Sequence, residues 1–158
     1  MKKKSLGTLA VILVVAFSLS SFAVAAQKKA PAFPPQVKEL VGSAKKSIKS
    51  TDMNGLKAAL DRKEKMTILD VREPNEFAAG HIPGAVNIPR GVLEFKVWKQ
   101  VAGFPEKTDT GKKIYIHCKS GGRAALATKC LQDLGFTNVV LVDMKIAEWI
   151  KAGYPIAR

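Results

Sequence analysis

The segment Cys118-Lys119-Ser120-Gly121-Gly122-Arg123 concentrates more chemistry than any other stretch of this 158-residue chain. Two glycines behind a thiol let the backbone curl so that successive N–H groups point at one centre. A helix that starts there adds the positive end of its dipole, and the centre then favours an anion. A thiolate is itself an anion, so the same field is expected to make Cys118 a nucleophile near neutral pH. Arg123 brings a forked cation suited to sulfonate, thiosulfate or phosphate oxygens, and Lys119 adds a looser charge. On this reading Cys118 and Arg123 are the catalytic residues, and Lys119, Ser120, Gly121 and Gly122 bind the substrate.

The elements around the segment are those that would hold such a loop. Lys113–His117 reads as a core strand ending at Cys118, and Arg123–Leu134 as a helix that Gly135 stops. Met66–Leu69 reads as a buried strand with Asp70-Val71-Arg72 at its C-terminal end. A helical turn follows from Pro74 to Gly80, then a turn at His81–Gly84 and a short strand over Ala85–Ile88. Val92–Val101 has helical spacing with Leu93 and Val97 inward. Val139–Val142 is a further strand, and Ala147–Ala152 belongs to a final helix. Upstream, Val37, Leu40, Val41, Ala44 and Ile48 mark a basic amphipathic helix, alone or followed by a strand, and Thr51 or Asp52 caps a helix through Leu60. Strands alternating with helices imply an α/β fold: a mainly parallel sheet with helices on both faces and its site at the C-terminal ends of the strands.

The second thiol, Cys130, lies beside Leu126, Ala127, Leu131 and Leu134 and reads as core. Eight helical residues beyond Gly122 at about 1.5 Å each put it on the order of 12 Å along the helix. A disulfide needs Cα atoms within about 7 Å, so the two cysteines are expected to stay unbridged.

Composition narrows the setting. Met1-Lys2-Lys3-Lys4 precedes an uncharged, largely apolar run to Ala26 with Ala23-Val24-Ala25 as an A-x-A cleavage pattern, so residues 1–26 read as a signal peptide and the mature protein as periplasmic or secreted. Residues 27–36, with Pro31, Pro34 and Pro35, read as an extended tether, leaving 37–158 as one domain. Without residues 1–26 the chain keeps 23 basic against 13 acidic residues, a net +10. The partners expected are small anions or a membrane surface. Nucleic acid is not expected, because no aromatic residues interleave the basic ones. No cofactor or metal is called for.

Leu69-Asp70-Val71-Arg72-Glu73, Glu76-Phe77 with Gly80-His81-Ile82-Pro83-Gly84-Ala85 and Asn87-Ile88-Pro89, and Cys118 to Arg123 together resemble the single-domain rhodanese, or sulfurtransferase, family over roughly Ser47 to Pro155. The resemblance implies a five-stranded rhodanese fold and a Cys118 persulfide carried from thiosulfate or polysulfide to a thiophilic acceptor such as cyanide or a thiol. Asp70 and Arg72 look like a polar pair beneath or beside the loop. Arg72, Arg90 and Arg123 together resemble the arginines of exported polysulfide-sulfur transferases, which makes Arg72 and Arg90 substrate-binding candidates. A homodimer and a membrane-bound sulfur enzyme are partners that the resemblance admits. His81, in a turn motif, reads as structural. The family usually places Gly-Gly where this chain has Met144-Lys145, so the pocket wall is expected to differ. Two other readings stand beside turnover: a carrier that holds polysulfide for a membrane reductase, and a Cys-dependent phosphatase or arsenate reductase. The latter resemble Cys-x5-Arg, whereas four residues separate Cys118 from Arg123.

Overall fold

The computed structural model describes residues 33–158; the expected signal peptide and the first part of the tether lie outside them. Five strands form one sheet in the order β1-β5-β4-β2-β3: β1 (Ser50–Thr51), β2 (Thr67–Asp70), β3 (Val86–Asn87), β4 (Ile114–His117) and β5 (Val139–Val142). Every pairing is parallel, as the alternation of elements predicts. The helices are α1 (Pro35–Lys46), α2 (Met53–Asp61), α3 (Pro74–Ala78), α4 (Leu93–Val97), α5 (Gly122–Asp133) and α6 (Ile146–Lys151). Short 3-10 and π turns flank α4.

The strands are buried on both faces and alternate between two cores. Leu69, Ile114, Ile116, Val139 and Leu141 face one layer, where Leu93 and Val97 of α4, Ala124, Ala127 and Leu131 of α5, and Val41 of α1 close over them. Ile68 and Tyr115 face the other, against Leu56 and Ala59 of α2 and Ile146 and Trp149 of α6. Fully burying one such side chain is worth about 1.5–3 kcal/mol, so a truncation in either layer would loosen the central strands.

The local signals act as read. Asp52 caps α2 by accepting from the Gly55 N–H at 2.8 Å, Pro74 opens α3, and Gly135 stops α5 at a φ of +89°. One boundary is corrected: α1 starts at Pro35, so Pro35 and Gln36 belong to a helix and not to the tether. Proline at the first helical position lacks only an N–H that would have no partner there, and its ring holds a helical φ. Among the described residues, no helix is long and apolar enough to cross a membrane.

Candidate active site

β4 runs between β5 and β2, so the chain that leaves it does so from the middle of the sheet. Cys118 is the first residue after the strand and is 1% exposed, its side chain joining the apolar layer under α5. Lys119 and Ser120 turn outward, and the chain then enters α5 through Gly121 at φ +87° and ψ −27°. That left-handed conformation favours glycine. A Cβ there would also lie 2.5 Å from Oδ1 of Asp143. The N–H groups of Lys119, Ser120 and Gly121 have no protein acceptor among the described residues. The loop's carbonyls are held: Lys119 O accepts from the Ile146 N–H at 3.1 Å and Gly121 O from the Ala125 N–H at 2.9 Å. Three successive N–H groups without a protein acceptor therefore lie between Cys118 and the opening turn of a twelve-residue helix.

Arg123 is oriented by a residue that the sequence did not single out for chemistry. Its Nη1 and Nη2 donate to Oε2 and Oε1 of Glu76 at 2.6 and 2.9 Å, with Glu73 3.7 Å away. Glu76 is positioned in turn by the capping box that opens α3. The Arg123 hydrogen bonds are the main reason its carboxyl is pulled down to about 2. The guanidinium is held more firmly protonated, chiefly by Glu76 and further by the Cys118 charge. Arg123 thus brings its cation near Cys118 with two of its five N–H groups engaged by Glu76 and about a third of its side chain open to solvent.

The other two arginines are placed differently from the expectation. Arg72 is 5% exposed. It donates through Nε and Nη2 to Asp70, through Nη1 to Glu76 O at 2.9 Å and through Nη2 to Gly80 O at 2.9 Å, and this leaves no open fork for a substrate. The pair staples the segment after β2. Removing one partner would leave the other charge buried, at a cost of about 3–5 kcal/mol. Asp70 is therefore the buried counter-ion of Arg72 and lies beside His117, the residue before Cys118. Arg90 is half-buried, donates to Glu94 Oε1 at 2.7 Å, and lines a groove between α1 and α5 with Leu40, Leu126, Lys129 and Cys130, apart from the residues of the 118–123 loop.

Cys130 also departs from the expectation of a core residue. It is half-buried, and its thiol donates to Glu94 Oε1 at 3.1 Å; burial, then that hydrogen bond, pushes it up to about 11. Both cysteines are free. His81 stacks on Phe77 with ring centroids 3.8 Å apart and pairs its backbone with Ala157, a structural role as expected. Met144 sits in the core with Ile146 and Trp149, and Lys145 turns outward to Glu148, so neither side chain crowds the loop. The structure adds two residues that periodicity could not mark. His117 is fully buried beside Asp70, its Nε2 3.6 Å from Oδ2. Asp143, just after β5, packs on Gly121.

Residues 52–152 match the Rhodanese-like domain, well over half of the chain. A Bacillus subtilis protein named as a candidate sulfur carrier is 33% identical over 103 residues, covering 65% of this chain and 51% of its own length. The chain thus spans about half of that relative. Yeast thiosulfate:glutathione sulfurtransferase (Saccharomyces cerevisiae) is 33% identical over 97 residues, 56% of this chain and 67% of the relative. A solved structure from Rhodopseudomonas palustris, described as a protein of unknown function and possible tyrosine phosphatase, superposes with a TM-score of 0.66 at 29% identity, over 80% of this chain and 98% of the other. With the parallel five-stranded sheet and the thiol loop at the end of its central strand, this chain belongs to the rhodanese-like family.

Proposed function

We propose that the protein is a sulfurtransferase that moves sulfane sulfur from a small anionic donor, thiosulfate or polysulfide, to a thiophilic acceptor through a persulfide on Cys118. The observation that carries this reading is the set of unpartnered N–H groups of Lys119, Ser120 and Gly121 in the loop that joins Cys118 to the N-terminus of α5. The Cys118 thiolate attacks the outer sulfur of thiosulfate. A new S–S bond forms, the donor's S–S bond breaks, and sulfite leaves with the electron pair. The loop N–H groups and the nearby Arg123 charge stabilise the transferring anion, and Glu76 keeps Arg123 in place. The terminal sulfur then passes to the acceptor; cyanide takes it as thiocyanate and restores the thiolate. The relatives named for sulfur transfer and sulfur carriage support this class of chemistry. The loop, one residue shorter than Cys-x5-Arg, argues against phosphoryl or arsenate chemistry. The basic start and the A-x-A pattern support export, which would place the reaction outside the cytoplasm.

Because one sulfur atom visits the enzyme between the two half-reactions, initial rates with thiosulfate and cyanide varied together should give parallel double-reciprocal lines. Intersecting lines would contradict a covalent intermediate and favour direct transfer between bound donor and acceptor.

A further inference from the structure

The anion loop carries an acidic neighbour. Asp143 Oδ1 would lie 2.5 Å from a Cβ on Gly121, so its carboxylate rests against the backbone of the loop itself. Its placement is set by the main chain: the Asp143 N–H donates to Thr51 O of β1 at 2.8 Å, and three residues on, the Ile146 N–H holds Lys119 O. Gly121 is three residues from Cys118, a separation of at most about 10 Å. A bare carboxylate so close would oppose any anion drawn to the loop, since charges interact appreciably within a Debye length of about 8–10 Å.

Lys45 answers it. Its Nζ lies 2.5 Å from Asp143 Oδ2 and would be 3.8 Å from the same Gly121 Cβ, so the ammonium pairs with the carboxylate beside the loop. Lys45 lies on α1, which precedes the residues that match the rhodanese-like domain. That helix is packed here on its own account, with Val41 Cγ2 only 3.8 Å from where a Cβ on Gly122 would stand. The pair is partly open to solvent, with 35% and 44% of the two side chains exposed. Exposed pairs of this kind contribute little to stability, so the consequence of the contact lies in the potential at the loop.

We infer that Lys45 is a positioning residue for the Cys118 site: by neutralising Asp143 against Gly121, α1 sets the loop's preference for anionic sulfur donors. The inference rests on the proposed sulfur transfer for the identity of the donor, but the local potential can be read without it. Iodoacetate and iodoacetamide attack the same thiol and differ by one negative charge, so their rate ratio at Cys118, mapped by peptide mass spectrometry on the full chain, measures the field at that sulfur. A unit charge uncovered roughly 10 Å away in partly screened surroundings should shift the ratio by about three- to tenfold. Lys45→Met should lower it by that amount and raise KM for thiosulfate more than it lowers kcat. Asp143→Asn should raise the ratio, the double variant should return towards wild type, and Lys45→Arg should keep it. A ratio unchanged within twofold in Lys45→Met, a fall in Lys45→Arg equal to that in Lys45→Met, or no recovery in the double variant would overturn the inference. If the ratios follow this pattern while wild type transfers no sulfur, the proposed function fails and the electrostatic role of Lys45 stands.

Discussion

The two cysteines bracket α5, one just before its first turn and one in its third, and the same functional group meets opposite surroundings. Cys118 is followed by three N–H groups without a protein acceptor and by the start of a helix, with the Arg123 cation nearby. Cys130 faces a carboxylate, and burial together with Glu94 pushes its thiol up to about 11, so only on the order of one molecule in 10⁴ carries a thiolate there at neutral pH. The arginine near Cys130 does not reverse this, because Arg90 is itself paired with Glu94. On the proposed function, what separates the reactive thiol from the inert one is its place on the helix and the sign of the groups around it.

The largest expected effect breaks the comparison outright. Cys118→Ser should abolish sulfur transfer with the fold retained by circular dichroism, whereas Cys130→Ser should stay within about twofold of wild type. Comparable losses in both would mean that the two thiols share the chemistry. The next effect tests the loop and not the sulfur. Gly121→Ala forces a side chain into a left-handed conformation, costing about 1–2 kcal/mol, and drives a methyl against Asp143. Turnover should fall by about tenfold or more while alkylation of Cys130 is unaffected; full activity would show that the curl at Gly121 is not needed.

On the Cys130 side, its alkylation rate should stay low through neutral pH and climb as pH approaches about 11. Glu94→Gln removes the acceptor's charge and should move that rise to lower pH. A Cys130 profile that already rises below pH 8 would contradict the assignment. The smallest effect concerns His117, the strand residue before Cys118. Burial, with Arg72 adding to it and Asp70 opposing, holds its pKa below the usual 6.5. The unfolded chain therefore binds its proton more readily, so stability is fully present above about 6.5 and declines as pH falls below it towards the folded value. Urea melts at pH 7.5 and 5.5 should show that decline, and His117→Gln should flatten it. The Glu76 and Arg123 pair acts in a separate window, between 4.5 and about 2, where protonation of Glu76 removes its contribution.

Much of this arrangement is legible in the residues. Periodicity and punctuation locate β2, β4, β5 and α5 because their apolar runs end at glycines or polar caps, and Gly121-Gly122 announces the curl at Cys118. β1 is two polar residues, Ser50-Thr51, and leaves no pattern to read except through its partner β5. The roles of the arginines were not legible either. Arg72, Arg90 and Arg123 look alike in sequence, yet acceptors brought together by the fold turn the first into a buried staple, pair the second with Glu94 beside Cys130, and leave only the third at the loop. Lys45 and Asp143 lie 98 positions apart, so no local signal could join them.

The central claim is that Cys118 alone carries sulfur, and intact and peptide mass spectrometry of donor-treated protein tests it most directly. After thiosulfate or polysulfide and removal of excess donor, the protein should gain the mass of one sulfur atom, mapped to the peptide bearing Cys118, and lose it on addition of cyanide with one thiocyanate released. Sulfur found on Cys130, or a protein that turns over donor and cyanide without ever gaining that mass, would contradict the account.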